Sequence, residues 1–526
     1  MKKAIRYLAV VLVLAMVLCG CGSGGDSSAW ELELYYGSLD LQPYSEMEYQ
    51  RPDLTQHAQV LEESCRLALD SRDLEQVLEG IYAYYDEYDW FYTNYALANI
   101  RYSSNLLDIY WEQEYNYCAE HTAEVDAGLD RLYHALAKSP IRDTLEGEAY
   151  FGPGYFDDYE GESIWDETFT AMMEQEAQLI NRYYELSGEN SSWLSRGELL
   201  AELVLLRQKI AAYAGYDSYN QFAYEFYYYR DFTPEQVEGY LAEIRRELVP
   251  LYVTLDQELW KPGYTACTGD ETFAYLEECI GNMGGTLRSA YRMLTEYGLH
   301  DIEYRENKFS ASFEVYLSYY AQPFIFMNPR QTQSDKLTLV HEFGHFANDY
   351  ACVGSQAPID VAEIYSQALE YLSLRYAPGG EDLTQYKMAE SLCVFVEQAA
   401  YADFENRLYD LAPEDVNVSR IRDLFRQVGE DYGFDTWNFD SRIFTDIPHF
   451  YTSAQYVISY VVSNDAAFQI YQKELAEEGA GLALYQASLD SRAGGFLDFL
   501  EEQGLESSFA EGRVADIRKT LEEMLK

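Results

Sequence analysis

His341, Glu342 and His345 stand in one short run, His341-Glu342-Phe343-Gly344-His345, and these residue types at this spacing read as a metal-dependent hydrolytic site. On a helix, residues i and i+4 share a face about a turn apart, so both imidazoles can reach a single ion. Glu342, next to the first of them, then faces a water held on that ion and acts as its general base. The bland alternative is a pair of surface histidines beside a solvated glutamate. Such a site needs a third protein ligand and an open fourth position for water. Glu363, 18 residues after His345, and Glu370, seven further along, both qualify. Asp360 and Glu363 also have capping-box spacing, so Glu363 could simply close a helix terminus. Glu370 could orient a histidine ring instead of binding the metal. Spacing leaves the two glutamates open.

The elements that must position these groups can be read around them. Leu337, Leu339, Val340, Phe343 and Phe346 give the histidine segment helical apolar faces, with Ser334 or Asp335 as its cap. Pro358 precedes a second helix that carries both glutamates, with Asp360 as its expected N-cap. The brief apolar run Pro323 to Asn328 reads as a strand, either a sheet edge able to take an extended peptide or a buried core strand. Asp73 to Ala98 and Asp126 to Ala137 have helix-like apolar spacing. Thr233-Pro234 marks a helix start, Glu502-Gln503-Gly504 a stop, and Phe509 to Leu525 a last amphipathic helix. The tyrosine-rich runs Tyr82 to Tyr92 and Tyr224 to Tyr229 read first as packing, and second as a carbohydrate- or peptide-binding surface.

The HEFGH run followed by Pro358-Ile-Asp-Val-Ala-Glu363 resembles the M3 oligopeptidases, which include thimet oligopeptidase and, closer here, oligoendopeptidase F. The segment from Arg207 through Ala211 to Gly215-Tyr216 is similar to one that precedes the catalytic half of those enzymes. Ile447-Pro448-His449-Phe450-Tyr451 and the tyrosines that follow are similar to another. The loop between the two metal-site helices is several residues shorter than is usual in that family. The resemblance implies a mainly α, two-lobed, clam-like zincin-type metallopeptidase with a deep central cleft and a small β-sheet next to the HExxH helix. It implies one zinc ion on His341, His345 and Glu363, with Glu370 behind a ligand and Glu342 as base. It also lifts His449, Tyr456 and Tyr460 as stabilisers of the oxyanion. Tyr456 and Tyr460, at i and i+4, would present both hydroxyls on one helix face. The expected activity is internal cleavage of short peptides. End-trimming as a dipeptidyl or carboxypeptidase, and a non-catalytic peptide-binding lipoprotein, are the alternatives.

The first residues read as an address. Lys2, Lys3 and Arg6 precede the twelve apolar residues Tyr7 to Leu18, too short to span a bilayer and fitting a secretory signal. Leu18-Cys19-Gly20-Cys21 resembles a bacterial lipobox with Cys21 as the lipidated residue, since Cys19 would place Leu18 at the small-residue cleavage position. The expected layout is a signal peptide over 1–20, a lipidated Cys21 with a flexible tether over 21–30, an N-terminal helical lobe over 31–200, and a catalytic region over 201–526. This places the protein outside the cytoplasmic membrane, held there by its lipid anchor. A net charge of −53 repels phosphate backbones and anionic headgroups alike, so no nucleic-acid partner is expected, and a monomer is. Of the remaining cysteines, Cys65, Cys118, Cys267, Cys279, Cys352 and Cys393, the nearest pair, Cys267 and Cys279, is the first guess for a disulfide.

Overall fold

The structure is a computed structural model and describes residues 27–188, 192–353, 356–437 and 439–526. The signal segment, Cys19 and Cys21 lie outside the described residues. Helix α1 (Ser27–Ser38) begins inside the stretch read as tether. Three long helices follow: α2 (Leu54–Asp70), α3 (Leu74–Ser104) and α4 (Ile109–Ala137). Asp53, Asp73 and Asp108 cap them, each accepting from backbone N–H groups of the first turn. Leu61, Val77, Ile81 and Leu132 form their shared core. The helix expected over Asp126 to Ala137 is the end of α4, which starts a full 17 residues earlier.

Two more helices, α5 (Glu167–Gly188) and α6 (Trp193–Tyr213), lead to α7 (Pro234–Glu247). There Thr233 and Gln236 form the reciprocal capping box with proline in the first turn. After α8 (Gly269–Met283) and α9 (Gly285–Glu296) comes the only sheet among the described residues, β1 (His300–Asp301), β2 (Phe313–Leu317) and β3 (Gln322–Phe326), in the order β1-β3-β2. β3 runs parallel to β1 and antiparallel to β2, with Val315 opposite Phe324 and Tyr316 opposite Pro323.

The run expected as a strand is therefore β3, but it is the middle strand and every residue in it is buried. It cannot be the edge that receives a peptide. β1 reaches only Ile325 and Phe326, so Pro323 owes no N–H to a strand on that side, which is where a proline is tolerated. An extended peptide reaching this sheet would add to β2.

The core of the molecule is built around α10 (Ser334–Cys352), α11 (Ile359–Tyr376) and α15 (Ile458–Ala476), with α12 (Thr384–Cys393), α13 (Ala399–Tyr409) and α14 (Val418–Asp431) between them in sequence. α16 (Ala480–Ser488), α17 (Phe496–Glu502) and α18 (Arg513–Met524) close the chain. α11 is buried on nearly all sides from Asp360 to Leu374, the pattern of a helix at the centre of a large core. Its approach to α10 depends on Gly344: a Cβ there would lie 2.6 Å from both the Ser366 Cα and the Tyr365 carbonyl oxygen. A cleft of about 1130 Å³ opens between α3 and α4 on one side and β2 with residues 226–229 on the other. All six described cysteines are free, and Cys267 and Cys279 are not bridged. Cys267 instead contacts the Thr268 carbonyl and the Thr272 hydroxyl, and Cys279 is packed in the core.

Candidate metal centre and catalytic cleft

α10 places His341 and His345 one turn apart, ring centroids 5.1 Å from each other. Neither expected cap performs that task. Gln333 occupies the N-cap position, and Asp335 accepts from the Arg330 and Thr332 backbone N–H groups, each at 3.0 Å, bracing the loop from β3. Asp360 does not cap α11 either. Pro358 holds that position, and the Asp360 carboxylate pairs at 3.0 Å with Arg230, both groups buried. With no capping box formed, Glu363 is free to face α10. Its Oε2 lies 3.6 Å from His341 Nε2 and 3.7 Å from His345 Nε2.

These three residues are the group among the described ones that can hold a metal, their donor atoms all within 4.8 Å of one another. A tetrahedral ion with bonds of about 2.0–2.1 Å separates its ligand atoms by about 3.3 Å, and the two histidine–Glu363 separations of 3.6 and 3.7 Å are already close to that. Two imidazole nitrogens and a carboxylate are also the donor chemistry of a catalytic zinc site. Glu370 sits behind this group. Its Oε1 is 2.8 Å from His341 Nδ1, and its Oε2 accepts from Lys387 Nζ at 2.6 Å. Taking up Nδ1 in this way leaves Nε2 pointing at Glu363 and His345.

The electrostatics of the pocket are strong because its glutamates are buried and its histidines are mostly withdrawn from solvent. Burial alone would lower His341, but the hydrogen bond and charge of Glu370 raise it to about 9. His345 has no such partner, and burial lowers it to about 4. Burial pushes Glu342 up to about 7; His341 opposes the shift and Glu363 adds to it. A backbone N–H of Glu314 on β2 donates to Glu342 and ties the base to the strand. Burial also raises Tyr456 and Tyr460 well above the phenol range, with Glu363 next in effect, so both hydroxyls are neutral donors.

The C-terminal group arrives as a unit, but not on one helix. Tyr456 lies in the turn before α15, which starts at Ile458, while Tyr460 lies on the helix. A positive φ of 67° at Gln455 swings the chain so that the two rings still meet, centroids 5.2 Å apart. Tyr456 donates to Glu363 Oε1 at 2.6 Å, and His449 Nε2 lies 3.2 Å from the Tyr460 hydroxyl. Ser366 donates to the other Glu363 oxygen at 3.0 Å. Sequence reading missed what holds this turn. Glu405 accepts from the Gln455 backbone N–H at 3.0 Å, Tyr228 donates to the Ala454 carbonyl at 2.9 Å, and Asn220 receives the Gln455 side chain at 2.8 Å. Arg230, between the rings of Tyr224 and Tyr228, donates to Ser459 as well as Asp360 and so joins α11 to α15. An arginine directly after a tyrosine run was the available signal for that cation–π seat. Arg207 is also fully buried, paired to Glu176 at 2.6 Å and donating to the carbonyls of Phe450 and Tyr451.

A helical molecule with a small sheet and an HExxH helix facing a glutamate-bearing helix defines a zincin-type peptidase scaffold. Residues 44–163 match the peptidase M3 N-terminal domain and residues 287–501 match peptidase family M3. The chain belongs to peptidase family M3 and is oligoendopeptidase F-like. It is similar to an oligoendopeptidase F homolog of Lactococcus lactis subsp. lactis (strain IL1403), 24% identical over 354 residues, 58% of this chain and 58% of that protein. The match thus spans little more than half the length of the curated relative. Among solved structures it resembles one provisionally identified as an oligoendopeptidase F, with a TM-score of 0.80 at 20% identity over 92% of this chain and 98% of the other. It also resembles PZ peptidase A solved with an inhibitor, with a TM-score of 0.80 at 19% identity over 91% and 98%. At those identities the likeness establishes the fold.

Proposed function

We propose that this chain is a zinc-dependent oligoendopeptidase that cuts short peptides internally. The observation that carries this reading is the convergence of His341, His345 and Glu363 within one ion's reach, with Glu342 beside them and held to β2. A zinc ion on those three residues would supply the Lewis acid that polarises water and the scissile carbonyl. Glu342 takes the proton from the attacking water and returns it to the departing amine. Tyr460, hydrogen-bonded to His449, donates to the oxygen that gains charge. Tyr456 does the same once substrate draws it from Glu363, or else keeps Glu363 oriented. Glu370 fixes the His341 ring. The cleft walls, and not a sequence code alone, restrict access to short unfolded chains.

The test is incubation of the purified chain with peptides of graded length, free or acetylated and amidated at their ends, with and without a zinc chelator. Chelator-sensitive internal cuts in blocked peptides support the reading. Cuts confined to free-ended peptides would favour end-trimming, and no cuts despite bound zinc would favour a binding lipoprotein. The reading also places the protein outside the cytoplasmic membrane on a lipid at Cys21, after removal of residues 1–20. No helix among the described residues is long and apolar enough to cross a membrane. Fatty-acid labelling of the wild type that vanishes in Cys21→Ser tests the anchor.

A further inference from the structure

The 1130 Å³ cleft has walls of one chemical kind. Nine tyrosines line it, among them Tyr88 and Tyr92 from α3 and Tyr227 and Tyr229 from the segment before α7. Four carboxylates join them, Asp126, Asp130, Asp158 and Glu314, and no lysine, arginine or histidine is among its lining residues. Tyr88 and Tyr92 both donate to Asp126, at 3.2 and 2.5 Å, which holds that carboxylate in the wall. Glu314, opposite on β2, has a buried Oε1 with no hydrogen-bond partner.

Ring faces and carboxylates attract the same guest, a cation. A guanidinium or ammonium over a tyrosine face gains most where water is excluded, and an unpaired buried carboxylate oxygen is satisfied when a charged N–H reaches it. β2 carries the cleft to the chemistry, since the same residue, Glu314, lines the cleft and bonds Glu342 through its backbone. The pocket at His341 and Glu342, of about 390 Å³, has a different lining, in which Arg330 and Lys387 accompany the carboxylates.

We propose that the aromatic and acidic cleft selects peptides bearing an arginine or lysine side chain on the β2 side of the cut, with Glu314 and Asp126 as the specificity-determining carboxylates. This deepens the oligoendopeptidase reading and rests on it for the position of the cut. Burial holds Glu314 well above the usual carboxylate range, with Asp349 and Glu342 adding to the rise, and an incoming cation offsets that cost.

The experiment compares a peptide containing arginine with its twin in which citrulline, the neutral isostere, replaces it. Binding is read by fluorescence anisotropy in the presence of zinc chelator, and turnover is read separately with zinc. The arginine peptide should bind at least about tenfold more tightly, the scale of one or two desolvated cation–π contacts. That ratio should shrink in Glu314→Gln and in Asp126→Asn, and it should fall as salt is added. Equal binding of the twins, or a ratio untouched by both variants, overturns the cation proposal whatever the turnover. Absent turnover with the binding ratio intact overturns the peptidase reading and leaves the cation-selective cleft standing.

Discussion

At the residue scale, the two glutamates that spacing could not separate occupy different positions. Glu363 points between the two Nε2 atoms, while Glu370 bonds the far nitrogen of His341 and is itself paired with Lys387. Removing each should therefore fail differently. Glu363→Ala is expected to lose stoichiometric zinc, whereas Glu370→Gln should weaken zinc by about 10–100-fold, the usual effect of losing a group that orients a ligand. Metal content after dialysis against graded chelator checks this, and the reverse order would exchange the two roles. Glu342→Gln should keep its zinc and lose kcat by at least about 100-fold, because an amide cannot accept the water's proton. Wild-type turnover in that variant would remove Glu342 from the mechanism. Tyr460→Phe should lower kcat without changing metal content, as expected of a donor used on the reacting oxygen. Tyr456→Phe should change both if its bond to Glu363 persists in the metal-loaded protein.

At the element scale, α10 and α11 must lie almost in contact for one ion to reach both, and Gly344 permits it. Gly344→Ala would drive a Cβ to 2.6 Å from the backbone of α11, where neither helix can yield locally. A loss of about 1–3 kcal/mol in stability is expected, typical of overpacking, together with weaker zinc binding as the histidines move off Glu363. Denaturant titration with metal analysis would show it; unaltered metal affinity would mean that the helices slide freely. The turn that presents Tyr456 carries a second constraint. Glu405, 0% exposed, holds the Gln455 N–H with one oxygen and has no partner at the other, and burial raises it to about 8 against the pull of Arg207 and Arg230. A carboxyl raised in the folded state keeps its proton while the unfolded chain releases it. Stability should thus fall as pH rises from about 4.5 to about 8, at up to about 1.4 kcal/mol per pH unit. Glu405→Gln keeps the acceptor and should flatten the fall in Tm over that window. How far the sequence revealed these elements follows from their physics. Both site helices were legible because apolar period and ligand spacing are local. Their caps were misread, because Asp335 and Asp360 bond a loop and Arg230, and such distant partners leave no trace in spacing. β3 was found as a strand but not as the central one, since pairing order is a tertiary fact. The turn at Gln455 was hidden because a positive φ at a non-glycine residue has no sequence signature.

At the scale of the whole molecule, 90 acidic residues face 37 basic ones, so most carboxylates cannot find a counter-ion within the chain. The ion pairs that do form divide into two kinds. Arg207 with Glu176, Arg230 with Asp360 and Arg513 with Asp465 are buried and barely feel dissolved salt. Arg66 with Glu63 and Arg442 with Asp440 are open to solvent and contribute little at any ionic strength. What salt does reach is the repulsion among the unpaired surface acids, which is long-ranged when ions are scarce and confined to about 8–10 Å near physiological ionic strength. Net self-repulsion destabilises a compact state. The Tm of the metal-loaded chain is therefore expected to rise as sodium chloride goes from about 10 mM to about 200 mM. Binding of a cationic peptide to the cleft should weaken over the same range, because there the attraction between opposite charges is screened. The opposite signs make the pair informative. A Tm that falls with salt would mean that exposed ion pairs outweigh the excess of acid. A Tm that rises while peptide binding stays constant would place the unpaired charge on the outer surface and not in the cleft.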